Sequence, residues 1–199
     1  MPLPRCFTQL VNNLEILPGV GEKTAERFVY SLYEKDFDDI EYLANALLDF
    51  KKNIKTCEIC GVLSDDNICE RCQDQDRDKS TICIVEDSKS LFSIEKTKKY
   101  KGDYHVLNGL ISPIDGKNPE DLNIYSLVNK RINENVKEVI FALNPSIEGE
   151  ITSSYIQKIL EKKNLKISRL SYGIPMGSDM EYLDPLMISR ALDDRKVIS

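Results

Sequence analysis

Four cysteines within residues 57–72 constrain the fold of this chain more than any other feature of its sequence. They form two Cys-x2-Cys pairs separated by eight residues. Each close pair lets two thiolates reach one ion, and four thiolates at this spacing are typical of a structural zinc site with no open coordination position. We therefore predict one structural Zn²⁺ per chain, held by Cys57, Cys60, Cys69 and Cys72.

Two disulfide bonds are the alternative for the same four residues. The first ten residues contain no charged-then-apolar signal segment, which favours a reducing compartment where disulfides do not persist. The loop 61–68 is too short and polar to bury a core, so we expect the segment to fold only with its ion. The remaining cysteines, Cys6 and Cys83, stand in apolar surroundings and are predicted to be small core residues.

Charge and hydropathy limit what the chain can bind. Its 199 residues carry 27 basic and 33 acidic side chains, a formal net charge of -6. This balance excludes a surface that coats nucleic acid through bulk charge, so any nucleic-acid contact must be local. Because no apolar run approaches the roughly 20 residues of a membrane-spanning helix, we expect a cytoplasmic protein with no membrane partner.

The first third of the chain predicts two helices joined by a glycine hairpin. Apolar residues recur at helical spacing on both sides of residues 17–21, Leu-Pro-Gly-Val-Gly. Gly19 and Gly21 let the backbone approach a ligand, and the free N–H groups of the helix that begins there suit a phosphate. Lys23 and Arg27 lie four residues apart and share a face of that helix. We predict that these four residues bind nucleic-acid phosphates.

The stretch 14–28 resembles the helix-hairpin-helix motif of proteins that bind DNA through its phosphates without reading sequence. A nucleotide-binding P-loop is excluded, because Glu22 stands where its second glycine is required and the preceding residues are helical. A plain helical hairpin that packs on a neighbouring subunit remains the alternative. A third helix is predicted to close this N-terminal unit with one apolar stripe, formed by Ile40, Leu43, Ala44, Leu47 and Leu48.

From residue 81 onward, short apolar strands alternate with helices. The predicted strands are 82–85, 104–107, 138–143 and 166–170, and the predicted helices lie near 87–96, 119–133 and 148–162. This alternation predicts a parallel sheet with helices on its faces and a site at the carboxyl ends of its strands. Acids occur at two of those ends and are Glu86, Glu148 and Glu150.

The order of these strands and acids resembles the Toprim domain of topoisomerases, primases and nucleases. In its catalytic members the first Glu is an acid or base, and an Asp-x-Asp pair holds magnesium. Here the two aspartate positions are Asn144 and Ser146, and an amide and a hydroxyl do not replace two carboxylates on a hard divalent ion. We therefore expect no catalytic residue, and we expect Glu86, Glu148 and Glu150 to form an acidic surface for a basic partner protein.

Two clusters of lysines accompany these regions. Both are interpreted as solvated helix ends that complement a helix dipole. If the hairpin is only a packing element, these two lysine clusters become the leading candidates for DNA binding. The first cluster is Lys51, Lys52 and Lys55, and the second is Lys96, Lys98, Lys99 and Lys101.

Together, these regions resemble the RecR recombination mediator family over essentially the whole chain. Residues 172–184, which begin Tyr-Gly-Ile-Pro, resemble the Gly-Ile-Pro segment of that family, sometimes called Walker B-like. A last helix is predicted to open at Pro185. The resemblance implies an α+β chain of four parts, which are a helical region with the helix-hairpin-helix (1–53), a four-cysteine zinc finger (54–77), an α/β Toprim domain with a mostly parallel sheet (80–173), and a C-terminal segment with a helix (174–199).

The family resemblance implies a recombination mediator in DNA repair that is not an enzyme. Such proteins form ring-like homo-oligomers, here a tetramer or a dimer. With RecO and RecF type partners they load recombinase onto gapped single-stranded DNA. The resemblance also implies sequence-independent DNA binding in the bacterial cytoplasm, with nucleoid association. The alternative is a magnesium-dependent Toprim nuclease or topoisomerase relative with an altered metal site.

Overall fold

Two units are distinguished in the computed structural model of the chain, which describes residues 3–171, 173–174 and 177–197. The units are Met1–Ile54 and Lys55–Ser199. The α-helices are α1 (Arg5–Leu14), α2 (Glu22–Tyr33), α3 (Phe37–Asn53), α4 (Glu70–Gln73), α5 (Ser88–Glu95), α6 (Ile124–Ser126), α7 (Ile147–Leu160) and α8 (Pro185–Asp193). The strands are β1 (Lys55–Thr56), β2 (Leu63–Ser64), β3 (Asp78–Val85), β4 (Gly102–Val106), β5 (Glu138–Ala142) and β6 (Lys166–Arg169).

The first two helices of the N-terminal unit pack against each other on a small apolar core. Val11 of α1 contacts Ala25 and Val29 of α2, and all three side chains are buried. At the far end of the pair, the rings of Phe7 and Tyr30 lie with centroids 4.9 Å apart. The two helices therefore run back to back from the hairpin that joins them.

The third helix does not close this unit, so that prediction is wrong. None of the side chains described for α3 is buried. Leu43, Leu47 and Leu48 are 45%, 64% and 68% exposed. The apolar stripe is where the periodicity predicts it, but the small core of α1 and α2 is completed without it. Periodicity determines which face of a helix is apolar, and it does not determine what covers that face.

The cysteine segment begins with the short antiparallel pair β1 and β2, in which Thr56 lies opposite Leu63. Hydrogen bonds from the backbone attach the segment to the region that follows. The Val106 N–H donates to the Cys60 carbonyl at 2.7 Å, and the Leu63 N–H donates to Ser88 Oγ at 2.9 Å. Three of the four cysteines are buried in the same apolar cluster as strands β3 and β4. The segment and the sheet therefore share one core.

The sheet has the order β4-β3-β5-β6, and every neighbouring pair is parallel. The prediction of a parallel sheet is thus confirmed. The central strand β3 begins at Asp78, four residues before the predicted start, because its first half is exposed and polar. Its second half is buried on both faces, as expected for a central parallel strand. The carboxyl ends of β3 and β5 are neighbours, with Val85 opposite Ala142.

Helices cover the sheet, but one predicted helix is broken. Helix α7 is regular and buries Thr152, Ile156 and Leu160. Residues 119–131 instead form a 3-10 turn, the single turn α6 and a π-helical turn. The break lies at Asn123, whose N–H donates to the Leu107 carbonyl at 3.0 Å instead of to a carbonyl of the preceding turn. The buried His105 ring also contacts the Asn123 carbonyl at 2.7 Å. A contact with a neighbouring strand therefore replaces continuous helical hydrogen bonding.

The two cysteines outside the cluster were both predicted to be core residues, and the structure separates them. Cys83 is buried in β3 as predicted, whereas Cys6 is exposed, because it lies on the outer face of α1.

Helix α8 begins at Pro185, as the sequence predicts. Of the Walker B-like segment, Tyr172, Pro175 and Met176 lie outside the described residues. No helix in the described part of the chain has the length and apolar character needed to cross a membrane.

Candidate functional site

The four predicted metal ligands meet at one point. Their sulfur atoms all lie within 4.8 Å of one another. The Sγ atoms of Cys60 and Cys69 are 3.6 Å apart, and those of Cys57 and Cys72 are 3.9 Å apart. Sulfurs bound at about 2.3 Å to a tetrahedral ion lie about 3.8 Å from one another. The cluster therefore has the dimensions of a four-thiolate metal site.

The electrostatics of the cluster require a cation for full ionisation. Hydrogen bonds from the neighbouring thiols of Cys60 and Cys72 lower the pKa of Cys69. The pKa of Cys60 is raised to about 12, first because its thiol hydrogen-bonds to Cys69. The pKa of Cys72 is raised as well, first by its hydrogen bond with Cys60. One thiolate is stabilised only while its neighbours keep their protons, so four thiolates together need a positive ion at their centre.

The backbone around the cysteines supports the same arrangement. The Cys57 N–H donates to the Val62 carbonyl at 2.7 Å, and the Gly61 N–H donates back to the Cys57 carbonyl at 2.9 Å. This tight turn brings the first two cysteines to one side. The Cys69 N–H donates to the Cys57 Sγ at 3.4 Å, which stabilises negative charge on that sulfur.

The hairpin between α1 and α2 presents both predicted glycines to open space. A Cβ atom added at either Gly19 or Gly21 would meet no atom within 4 Å. Gly19 has φ +80°, a left-handed conformation that favours glycine. Gly21 is the N-cap of α2, with φ -96° and ψ 173°, which any residue adopts. Neither backbone strain nor internal packing therefore explains why position 21 has no side chain.

The two predicted basic residues of the hairpin lie on the surface of α2. Lys23 and Arg27 are both exposed. Among the residues that the structure describes, neither forms a salt bridge. The Arg27 guanidinium lies 5.8 Å from the centroid of the Phe28 ring. Two cationic side chains therefore stand beside the free N–H groups at the start of α2, where an anion would be stabilised.

At the carboxyl edge of the sheet, an amide contacts the first predicted acid. The Asn144 Nδ2 donates to Glu86 Oε2 at 2.5 Å. Burial and the neighbouring charge of Asp87 raise the pKa of Glu86, while the Asn144 hydrogen bond and the charge of Lys117 oppose that rise. Asn144 thus stabilises the Glu86 carboxylate as a neutral hydrogen-bond donor.

The start of α7 is shaped by a side-chain cap and a glycine. Ser146 is the N-cap, and its Oγ accepts from the Gly149 N–H at 3.1 Å. A Cβ at position 149 would clash with the Asn144 carbonyl oxygen, so only glycine fits there. The backbone of residues 144–149 is therefore folded tightly around a cap, and both non-acidic side chains of the Asn-x-Ser sequence have structural partners.

The two acids of α7 have different surroundings. Glu148 is half-buried, and it forms no salt bridge within the described part of the chain. Glu150 is paired, with its Oε1 at 3.5 Å from Arg169 and 3.3 Å from Arg190. Sequence reasoning missed both arginines, because they follow Glu150 at long and irregular separations. The three predicted acids are therefore not equivalent, since one of them is neutralised within the chain.

A cavity of about 720 Å³ lies beside this pair of arginines. Its walls include residues of β5, β6, α7 and α8, among them the apolar side chains of Phe141, Ile167 and Met187. Glu150, Arg169 and Arg190 lie at the same cavity and are held in ion pairs. Asp184 also lies at the wall, so the described lining has two acids and two arginines, and their formal charges balance.

Three protein-family models match the chain. A model described as RecR, helix-hairpin-helix, matches residues 7–51. A model of the Toprim domain matches residues 80–171. A model described as RecR, C-terminal, matches residues 173–196. The matched regions together cover the hairpin, the parallel sheet and the last helix.

Full-length relatives are similar to the chain as a whole. The Recombination protein RecR of Staphylococcus aureus (strain MRSA252) is 42% identical over 195 residues, which are 98% of each chain. The protein of the same name from Rippkaea orientalis is 45% identical over 190 residues, or 96% of each chain. That from Staphylococcus haemolyticus is 41% identical over 195 residues, again 98% of each chain.

Proposed function

The chain belongs to the RecR family of recombination proteins, and from this we propose that it is a non-catalytic mediator of recombinational DNA repair. It binds DNA without regard to sequence. With RecO and RecF type partners it promotes the loading of recombinase onto gapped single-stranded DNA. It works in the bacterial cytoplasm at the nucleoid.

DNA binding is supported mainly by Gly21 of the hairpin, for which neither backbone conformation nor packing requires a glycine. Gly21 needs no special backbone conformation and meets no neighbour within 4 Å. Its missing side chain leaves room for an external group to reach the amides at the start of α2. A phosphate fits this place, because the helix dipole and the exposed Lys23 and Arg27 all favour an anion there. Such contacts position DNA without reading its bases.

The absence of catalysis is supported by the contact between Asn144 and Glu86. In a magnesium site, carboxylates must converge on the ion. Here the amide N–H of Asn144 donates to the Glu86 carboxylate, and Ser146 caps α7. Two of the positions that would hold an ion are thus engaged in other hydrogen bonds, which disfavours a magnesium-dependent nuclease.

Purified protein should bind DNA and leave it intact. Fluorescent oligothymidylate and a mixed-sequence duplex are expected to bind with a log-log salt slope of about 0.7 to 0.9 per phosphate contact, because each contact releases counterions. Incubation of nicked, linear and supercoiled DNA with magnesium should give no cleavage on denaturing gels. Magnesium-dependent nicking that disappears in Glu86→Gln would instead establish the nuclease alternative.

We also propose that the cysteine cluster binds one Zn²⁺ ion per chain. Four thiolates in a closed tetrahedral set are typical of structural zinc, which has no open position for a substrate. The 3.6 Å and 3.9 Å sulfur separations support this ion. The Cys57, Cys60, Cys69 and Cys72 site would hold the segment against strands β3 and β4 and take no part in chemistry.

A ring-like homo-oligomer, a dimer or a tetramer, is supported by the exposed face of α3. Leu47 and Leu48 are 64% and 68% exposed, and nothing described in the N-terminal unit covers them. Contiguous apolar patches of this kind mark interaction sites. Several hairpins held in one assembly would bind one DNA together and so compensate for weak binding by each subunit.

The acidic carboxyl edge of the sheet is proposed to bind a basic partner of the RecO type. Glu86, Glu148 and Glu150 contribute to it, and neither Glu86 nor Glu148 forms a salt bridge within the described part of the chain. Glu150 is already engaged by Arg169 and Arg190, so it orients the start of α7 more than it attracts a partner. Complementary charge would accelerate and orient docking.

Replacing Glu148 by lysine should weaken partner binding by roughly tenfold or more, since like charges across an interface repel. DNA affinity, oligomer mass and thermal stability should be unchanged. The measurement is the association rate and affinity for a purified RecO-type protein at two salt concentrations. Glu161→Lys, an equal charge change at the exposed far end of α7, is the matched control. Equal partner binding by both variants would exclude this edge as the interface.

A further inference from the structure

The turn that follows α5 presents four lysines to solvent. Residues 96–101, here called the lysine turn, contain Lys96, Lys98, Lys99 and Lys101, all of them exposed. In the described part of the chain, none of these four side chains forms a salt bridge or a side-chain hydrogen bond. In a protein with a formal net charge of -6, this is a local concentration of uncompensated positive charge.

The lysines are not needed to complete the helix. The last carbonyls of α5 already have backbone donors, since Lys96, Thr97 and Lys98 N–H groups donate to Phe92, Ile94 and Glu95 at 3.1, 3.0 and 2.9 Å. The Thr97 hydroxyl adds a bond to the Ile94 carbonyl at 2.7 Å. Backbone groups and the Thr97 hydroxyl thus complete the turn, and the lysine ammonium groups are available to bind an external anion.

The acid that precedes the lysine turn is withdrawn from it. Glu95 pairs with Arg77 at 2.9 Å and with Arg71 of the cysteine segment at 3.2 Å. Its side chain is 22% exposed. Because the carboxylate is directed to these two arginines, it does not neutralise the lysines. Asp78 adjoins the other end of the turn, but its carboxylate accepts hydrogen bonds from Ser80 and Thr81, and the four lysines outnumber it.

The lysine turn lies at the end of the sheet opposite to the acidic edge. The Asp78 N–H at the start of β3 donates to the Lys101 carbonyl at 2.9 Å, whereas Glu86 follows the other end of the same strand. Because Asp78 lies opposite Gly102 and Val85 lies opposite Val106, the five residues of β4 span the same two ends, a separation of about 13 to 16 Å. The Debye length at ordinary ionic strength is about 8 to 10 Å, so the acids do not cancel the potential at the lysine turn.

We propose that the lysine turn is a second contact for the phosphate backbone of DNA, located on the α/β unit and separate from the hairpin. This inference rests on the proposed DNA-binding function and adds a surface to it. Lysine is suited to such contacts because it neutralises phosphate as a compact charge. A membrane surface is disfavoured, because binding there requires an apolar face, and Tyr100 is turned inward with its hydroxyl donating to the Asp103 carbonyl at 2.9 Å.

The test removes two charges without disturbing the turn. Lys98 has φ +57°, a conformation that asparagine tolerates well, so the variant is Lys98→Asn with Lys99→Gln. The control is Lys89→Gln with Lys117→Gln, which removes two exposed lysines elsewhere on the unit. Full-length proteins are compared for binding of fluorescent oligothymidylate and duplex across a salt series, with oligomer mass measured in parallel.

The lysine-turn variant should lose about 1.4 to 1.8 from the log-log salt slope and bind roughly tenfold or more weakly at about 0.1 M salt. Lys98→Arg with Lys99→Arg should keep the wild-type slope, since charge and not side-chain shape is required. A second variant, Lys96→Gln with Lys101→Gln, changes two lysines that do not have a positive φ and should show the same loss. It tests the proposal if the first variant fails to fold.

Three outcomes overturn the proposal while leaving DNA binding by the hairpin intact. The first is an unchanged slope in both lysine-turn variants. The second is an equal loss in the control pair, which would indicate bulk charge. The third is loss of binding to vesicles of phosphatidylserine and phosphatidylcholine with no change for DNA. Failure of the hairpin itself is detected separately, by wild-type binding in the variant Lys23→Glu with Arg27→Glu.

Discussion

Cys57→Ser is expected to release the Zn²⁺ ion proposed for the cysteine cluster and to unfold the cysteine segment. Zinc contributes on the order of 10 kcal/mol of apparent binding free energy in small zinc-dependent folds, which is comparable to the roughly 5 to 15 kcal/mol that stabilises a whole domain. The segment shares its core with β3 and β4, so the loss should extend to the sheet. Metal analysis, thermal unfolding and limited proteolysis would measure it.

The matched control for this substitution is Cys6→Ser. Cys6 is exposed and lies outside the cluster, so this variant should keep its zinc and its melting temperature. Treatment of the wild-type protein with a strong chelator should reproduce the Cys57→Ser phenotype. Purified protein that contains no zinc, or a chelated sample that melts like the untreated one, would refute the structural role of the ion.

Changing Lys23 and Arg27 together to glutamate is expected to reduce DNA affinity by roughly a hundredfold or more at about 0.1 M salt. Two phosphate contacts are lost, each of which contributes a salt-slope increment of about 0.7 to 0.9, and two negative charges then repel the backbone. Both side chains are exposed, so zinc content, oligomer mass and partner binding should survive. Fluorescence anisotropy over a salt series gives the affinity and the slope.

A control with the same charge change uses the other end of the helix pair. Arg5 opens α1 and Lys35 follows α2, so both lie away from the hairpin. Arg5→Glu with Lys35→Glu should bind DNA nearly as the wild type does. If the hairpin variant keeps the wild-type affinity and slope, the helices form a packing element, and the DNA surface must be found among the lysine clusters.

Much of the fold could be predicted because its signals are local. The spacing of the cysteines requires their four sulfurs to converge, and the sulfurs do lie within 4.8 Å of one another. The alternation of short apolar strands with helices is typical of a parallel sheet, and the sheet is parallel throughout. The Gly-Val-Gly turn and the start of α8 at Pro185 depend on a few adjacent residues as well.

The boundaries of elements were predicted less well where a distant contact intervenes. Residues 119–131 have helical periodicity, yet the helix is broken at Asn123, whose N–H donates to the Leu107 carbonyl and whose carbonyl contacts the His105 ring. The apolar stripe of α3 is correctly placed, but it is exposed. In both cases the local pattern predicts the preferred secondary structure or apolar face of the segment. Whether the helix is continuous, and whether the face is buried, depends on residues elsewhere in the chain.

The sequence by itself determined the cysteine cluster, the parallel sheet and the positions of the acids after its strands, because each depends on short spacing or on periodicity. Only the tertiary structure decided which charges remain available. Glu150 is neutralised by Arg169 and Arg190, and Glu95 is drawn away from the lysine turn by arginines of earlier segments. Ion pairs form between residues that the fold brings together across long separations, and such pairs leave no periodic trace in the chain.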